Sequence, residues 1–273
     1  MLHIPSDDIN KAENLSEYWQ AFIEYLSDKV NSWEFWWEWN IERIIQVCKK
    51  IEKDHADRPR ESWWNYHDHL YEVTKNYIEL YWEKISQKRV IACLLHDNIE
   101  DIKWDSFQSL KKLYWAEIGF VVHLLSIKKD NNWVVLETKD EYMSRFSNLA
   151  SIRKFIKEEG MKLWIPVQTY KKNNWDIQRE KWNFTLCKNR IKKLSREIAA
   201  IKISDRINNL STEEVFGINK AKAKIQQTEK YLLPLARELW NPILLWRLRD
   251  EIIKLHARIR KKKAEKILNP TES

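Results

Sequence analysis

Six ionisable residues in three separated stretches carry the chemistry open to this chain: His69, the run His96-Asp97-Asn98-Ile99-Glu100-Asp101, and Asp205 within Ile201-Lys-Ile-Ser-Asp-Arg-Ile-Asn-Asn-Leu210. The central run closes the segment Val90–Asp101, an apolar stretch without Gly or Pro that turns abruptly into acids and imidazoles. Such a segment reads as a buried helix. At 3.6 residues per turn, His96 lies over Glu100 and Asp97 over Asp101, so the four share an arc of roughly 140° opposite Ile91, Leu95 and Ile99. Burying these carboxylates uncompensated would cost on the order of several kcal/mol per ion, so a cation must face them, and a divalent metal is the simplest one. Two imidazoles and two aspartates form a mixed nitrogen and oxygen set that suits manganese, iron or zinc better than calcium, with manganese the ion carried forward. A bound metal lowers the pKa of its water, and Glu100 and Asp101, one turn further on, can move protons. The pattern of His, then His-Asp, then Asp on a separate apolar helix reads as a metal-dependent phosphohydrolase. His55, His67, His123 and His256 read as ordinary core or surface histidines.

Local motifs around these residues extend the pattern. Arg60-Glu-Ser-Trp-Trp-Asn-Tyr-His-Asp-His69 is similar to Arg-x-Ser-Gly-Glu-Pro-Tyr-x-x-His, and Ala92-Cys-Leu-Leu-His-Asp-Asn-Ile-Glu-Asp101 to Ala-Leu-Leu-His-Asp-Val-Val-Glu-Asp. Ile201-Lys-Ile-Ser-Asp-Arg-Ile-Asn-Asn-Leu-Ser-Thr212 is similar to Ile-Lys-Leu-Ala-Asp-Arg-Leu-His-Asn-Met-Arg-Thr, and Tyr231-Leu-Leu-Pro-Leu-Ala-Arg-Glu-Leu239 to Tyr-Ala-Pro-Leu-Ala-x-Arg-Leu. Over residues 55 to 128 and 195 to 240 the chain thus resembles the HD-domain hydrolases, and within them the RelA/SpoT-homologue hydrolases that remove the 3′-pyrophosphate from (p)ppGpp in the stringent response.

The resemblance implies an all-α HD-domain helical bundle. It makes His69, His96, Asp97 and Asp205 the ligands of a divalent metal, with Glu100 and Asp101 managing the attacking water. It sets Arg60 and Ser62 against the nucleotide base, and Asn209 and Thr212 toward the ribose and phosphates. A guanidinium such as Arg60 can both stack on a purine and pair with phosphate. Ser126 and Lys128 fall near the family's Thr-Lys. Three departures mark changed pocket walls: Trp64-Asn65 replaces Glu-Pro, Glu61 replaces a basic residue, and Asn208 replaces a His. The expected activity is that of a stand-alone (p)ppGpp 3′-pyrophosphohydrolase. The alternatives are an HD phosphohydrolase for another nucleotide, a nucleoside monophosphate or dNTP, and a non-catalytic nucleotide sensor.

Composition adds an anomaly. The chain has 16 Trp and 3 Gly in 273 residues, whereas ordinary usage would give roughly 19 Gly. Trp63, Trp115 and Trp240 fall where the resembled family carries Gly, and Trp36-Trp37 and Trp63-Trp64 read naturally as Gly-Gly. A code in which UGA means glycine, translated with UGA as tryptophan, produces this exchange. It predicts backbone suited to glycine at Trp63, Trp115 and Trp240. The alternative is genuine aromatic packing or base-stacking platforms.

Length allows one large domain or two small ones. The expected organisation is an N-terminal helical extension over 1–54, an HD domain over 55–240 with an insertion at about 130–190, and a C-terminal helix with a basic tail over 241–273. Helices are expected at 15–27, 33–53, 66–81, 87–100, 106–127, 140–158, 190–210, 219–238 and 242–266, with a small hairpin pairing 164–170 and 182–186. A net charge of +8 favours a polyanionic ligand without choosing between nucleotide and nucleic acid; the resemblance implies a guanine nucleotide, and no nucleic-acid-binding module is evident. The basic run Arg258-Ile-Arg-Lys-Lys-Lys263 reads as a solvated, fraying helix end. The longest apolar run, Ile118 to Ile127, is interrupted by His123 and too short to span a bilayer. The start lacks the regions of a secretory signal. Cys48, Cys93 and Cys187 show no pairing pattern, as expected in a reducing cytoplasm. Oligomeric state is left open.

Overall fold

A computed structural model describes residues 16–31, 40–56, 66–81, 85–130, 132–165, 167–168, 185–212 and 217–268. Among them run α1 (Glu17–Asn31), α2 (Ile41–His55), α3 (Tyr66–Leu80), α4 (Gln87–Leu94), α5 (Asn98–Asp101), α6 (Phe107–Leu113) and α7 (Ala116–Leu125). After them come α8 (Lys139–Ser144), α9 (Leu149–Lys162), β1 (Val167–Gln168), β2 (Leu186–Cys187) and α10 (Lys188–Ser211). The chain closes with α11 (Ile218–Gln227), which passes through a π-helical turn into α12 (Leu233–Glu238), and then α13 (Pro242–Leu268). The architecture is all-α, as the motifs imply.

Helix α10 is the axis. Ile191, Leu194, Ile198, Ala199, Ile201, Ile203, Ile207 and Leu210 are buried, and buried Glu197, Ser204 and Asn208 take the remaining face. A helix buried on every face is enclosed by its neighbours, and α3, α9 and α13 pack against it. A single cluster of buried side chains runs from Trp19 on α1 to Ile259 on α13. At the far end of α10, Arg258 of α13 donates to the carbonyls of Leu210 and Ser211 at 2.8 and 2.7 Å. It satisfies orphan helix-terminal acceptors. Arg258 therefore belongs to the packed interface rather than to a solvated end, and α13 continues to Leu268. Asn241 tethers the start of α13, accepting from Leu244 and donating to the carbonyl of Leu80 at 2.6 Å, with Pro242 at the first helical position where its missing N–H costs nothing.

Several sequence expectations need correction. The run 87–100 is not one helix: α4 ends at Leu94, residues 95–97 form a turn, and α5 restarts at Asn98. The span 106–127 is broken at Tyr114 and Trp115, and 140–158 is broken between α8 and α9. The expected hairpin of 164–170 with 182–186 is instead a two-residue parallel pair, Val167 with Leu186 and Gln168 with Cys187. Parallel strands need a crossover rather than a tight turn. An antiparallel bridge occurs elsewhere, between Lys129 and Val135. Trp240 has the expected left-handed backbone (φ 54°), but Trp115 is extended (φ −151°) and free of that strain. Trp63, with Arg60 and Ser62, lies outside the described residues. No helix among the described residues is long and apolar enough to cross a membrane.

One buried ion cluster pins three helices together. Arg89 of α4 pairs with Glu197 of α10 at 2.5 Å and with Glu117 of α7. Arg89 and Glu197 are buried, at 4 % and 2 % exposed, and Glu117 is half-buried. Removing one partner of such a cluster strands the others in low dielectric. Arg89→Ala is therefore expected to lower unfolding free energy by about 3–5 kcal/mol, read from the midpoint of a urea titration. An unshifted midpoint would mean that the two carboxylates are not held as ions.

Candidate metal centre

Three elements meet at the acidic and imidazole residues. His69 comes from α3, His96 and Asp97 from the turn between α4 and α5, and Asp205 from the middle of α10. The structure brings all four together. His69 Nε2 lies 3.6 Å from Asp97 Oδ2 and 3.4 Å from Asp205 Oδ1. His96 Nε2 lies 3.2 Å from Asp97 Oδ1 and 3.9 Å from the same Asp205 oxygen. The imidazole centroids are 5.4 Å apart. The donor atoms of His69, His96 and Asp97 all lie within 4.8 Å of one another, a cluster that could hold a divalent ion. Both histidines are buried, while the Asp97 side chain is 19 % exposed, so the cluster opens to solvent on the Asp97 side.

The second nitrogen of each ring fixes what the first can do. His69 Nδ1 lies 2.5 Å from Asn208 Oδ1, and His96 Nδ1 lies 2.8 Å from the Cys93 carbonyl. An oxygen acceptor at Nδ1 fixes a proton there, so that in the neutral ring the Nε2 lone pair faces the carboxylates. This is the arrangement of a metal-binding histidine with its outer hydrogen bond in place. In the absence of a cation, burial opposes charging His96, but the Asp97 and Asp205 carboxylates prevail and raise it to about 9. Burial pushes the Asp97 and Asp205 carboxyls up, yet the histidines, and for Asp205 first of all Lys202, hold both well below the usual range. Carboxylates kept ionised beside paired imidazoles fit a divalent cation.

Lys202 is a site residue that motif reading missed. Its ammonium is buried, 2.8 Å from Asp205 Oδ2 and over the Tyr142 ring at 5.0 Å. The signal was available: a lone lysine between Ile201 and Ile203, three residues before an aspartate on the same helix. Asn208 was also missed, having been read only as a change of pocket wall. It holds the His69 ring instead.

The remaining candidates are placed as follows. Asn209 donates to Asp205 Oδ1. The Thr212 hydroxyl bonds the Asn208 carbonyl at 3.0 Å, capping α10. Ser126 spends its hydroxyl on the Val122 carbonyl, and Lys128 pairs with Glu159 at 2.9 Å. Asp101 ends α5 half-buried, and Glu100 accepts from the Ile127 amide at 3.4 Å while its own carbonyl accepts from Lys129. Beside Glu100, a cavity of about 580 Å³ is lined by Ile99, Ile127, Lys103, Lys128, Lys129 and Lys162 among others. A second cavity, about 690 Å³, is lined by Lys88, Arg89, Trp115 and Lys193 among others, and neither cavity has any of the four metal-cluster residues in its wall. The second cavity adjoins the Arg89–Glu117 ion pair, whereas the His/Asp cluster is the group of metal-ligating side chains found among the described residues.

No protein-family model matches the chain, and none of the curated proteins does. Its fold is similar to the solved structure of a metazoan SpoT orthologue described as hydrolysing ppGpp, with a role in starvation responses. The TM-score is 0.51, with 16 % identity over 80 % of this chain and 97 % of that one.

Glu100 supplies a pH signature. Burial, and then the charge of Asp97, raise it from 4.5 to about 7 against the pull of Lys202. Its ionisation is thus harder in the folded than in the unfolded chain. The stability it contributes as a neutral acid is fully present below about pH 4.5 and is lost as pH rises through 7. Metal-free Glu100→Gln, permanently neutral, should match the parent at pH 4 and exceed it by on the order of 2 kcal/mol at pH 8. Parallel stability curves for the two proteins across that range would contradict this placement of Glu100.

Proposed function

We propose that this chain is a metal-dependent phosphohydrolase that removes the 3′-pyrophosphate of a guanine nucleotide of the (p)ppGpp type. The observation that carries the proposal is the pair of buried imidazoles whose Nδ1 protons are committed to oxygens and whose Nε2 atoms face Asp97 and Asp205. His69, His96, Asp97 and Asp205 would hold the ion, manganese being first among those that accept mixed imidazole and carboxylate donors. Bound there, a divalent ion supplies Lewis acidity and a water of lowered pKa. The rest of the chemistry falls to the chain. Glu100, raised to about 7, can take a proton from an attacking water and return it near neutral pH. Asp101, the next residue of α5, shares that task. In the reaction the water oxygen bonds to phosphorus, the bond from phosphorus to the 3′-oxygen breaks, and the departing 3′-oxygen gains a proton. Around the neighbouring cavity Lys103 and Lys129 supply positive charge suited to a substrate with several phosphates, while Lys128 and Lys162 are paired with Glu159.

Arg60 and Ser62 are assigned to the base, and Asn209 and Thr212 to the ribose and phosphates, on the motif resemblance. The likeness to a fold that hydrolyses ppGpp favours this substrate over a nucleoside monophosphate or dNTP. A sensor without catalysis has no use for an acidic pair, Glu100 and Asp101, set one turn beyond the candidate ligands His96 and Asp97.

The test is incubation of manganese-loaded protein with ppGpp, a nucleoside monophosphate and a dNTP, following released pyrophosphate and phosphate. Pyrophosphate from ppGpp is expected. Turnover of only the other nucleotides would replace the substrate assignment, and no turnover of any would end the enzymatic reading. Glu100→Gln with Asp101→Asn should keep the ion, measured by metal analysis, yet lose kcat by about 10²- to 10⁴-fold. Arg60→Ala should raise KM for ppGpp with kcat largely kept, because a base contact contributes binding shared by ground and transition states.

A further inference from the structure

Three non-glycine residues in the described structure have a left-handed backbone: Trp133 (φ 66°), Trp164 (φ 56°) and Trp240 (φ 54°). All three are tryptophan. An L side chain there pays a steric penalty that glycine does not, and a bulky one has no local hydrogen bond to offset it.

At 164 and 133 the surrounding hydrogen bonds form patterns that favour that conformation, and Trp240 directly follows the end of α12. After α9, the Ile165 amide donates to the Gly160 carbonyl at 2.8 Å and the Trp164 amide to the Met161 carbonyl at 3.1 Å. Those two bonds define the helix C-terminal motif whose first residue beyond the cap is left-handed and usually glycine. Trp164 holds that place, with 93 % of its surface exposed, so its ring gains nothing from burial. After α12, the Trp240 amide donates to the Arg237 carbonyl at 3.1 Å, and the ring is 84 % exposed. In the third case the Asp130 amide donates to the Val134 carbonyl and the Trp133 amide to the Asp130 carbonyl, next to the Lys129–Val135 bridge. Trp133 is then the third residue of a three-residue hairpin loop, the left-handed position that glycine fills in such loops.

Trp19 is the opposite case. It has a helical place on α1, is fully buried, and packs edge-on against Phe22 and Tyr71 with centroids 5.6 and 6.0 Å apart. Tryptophan fits there and glycine does not.

We infer that glycine is the residue of the native protein at 133, 164 and 240, that the gene's UGA codons are read there as glycine, and that Trp19 is a true tryptophan. The excess of Trp (16) over Gly (3) is what such a misreading leaves behind. The exposed Trp164 and Trp240 rings, and the half-buried Trp133 ring under Lys129 Nζ at 4.0 Å in the wall of the 580 Å³ cavity, are then absent from the native protein.

The test compares the written chain with the triple variant W133G/W164G/W240G, the triple variant W133A/W164A/W240A, and W19G. The alanine triple removes the rings but keeps a Cβ at each left-handed position. The glycine triple should melt about 2–5 °C or more above the alanine triple, and above the written chain, while W19G should melt about 10 °C below it. A glycine triple no more stable than the alanine triple would overturn the backbone argument. UGG codons at 133, 164 and 240, or tryptophan in the corresponding peptides of protein from its native source, would overturn the decoding. UGA at those three with UGG at 19 would establish it.

Discussion

The structure depends on placing two ionised aspartates in the interior of a helical protein. Asp97 and Asp205 face each other across His69 and His96, and their burial is tolerable only if positive charge lies within a few ångströms. Lys202 supplies part of it from the same turn of α10 as Asp205. Without a metal, a proton on His96, raised to about 9 by the two carboxylates, supplies the rest, and a divalent ion would take that proton's place at Nε2. Metal binding is then coupled to release of that proton.

The same requirement explains the break in the helix. Neighbouring residues on an α-helix point about 100° apart, so a His-Asp dipeptide cannot aim both side chains at one point from a continuous helix. Ending α4 at Leu94 removes that restriction. Leu95 (φ −98°, ψ 7°) and Asp97 (φ −97°, ψ −4°) adopt the sparsely populated region between helix and strand, where active-site residues are often found. The turn is held from outside by Asn98, fully buried and bonded to Asp105 at 2.9 Å, with Lys50 on the same carboxylate at 2.8 Å. Arg89, bridging α4 to Glu197 on α10, fixes the separation between the two helices that deliver His96 and Asp205.

What could be read in the sequence follows from which signals are local. His96 and Asp97 stand out because acids and imidazoles interrupt an apolar run, and Asp205 because it lies in a long buried helix; all-α architecture follows from the same periodicities. The 140° arc over His96 to Asp101 failed because periodicity assumes an unbroken helix, and nothing in Leu94-Leu95-His96 signals a stop when neither Gly nor Pro is present. Lys202 and Asn208 were overlooked because their roles exist only across the fold, one against Asp205 and Tyr142, the other against a ring 139 residues away. The strand pair failed for a related reason: alternation over 164–170 and 182–186 reports extended backbone, not the direction in which two strands meet.

The tryptophans show which part of a sequence determines local backbone. The turn after α9 forms with its two closing bonds intact although the residue at 164 is among the least suited to it. The hydrophobic pattern of α9 and the burial of Ile165 place the chain on either side of that residue, and the backbone between has one way to satisfy its amides. The neighbours impose the conformation, and the residue at 164 either accepts it, as glycine does, or bears its cost. The misfit is therefore concentrated at the residue itself and leaves the surrounding fold unchanged. None of His69, His96, Asp97 and Asp205 has a left-handed backbone or adjoins such a residue in sequence, so the strain lies outside the cluster.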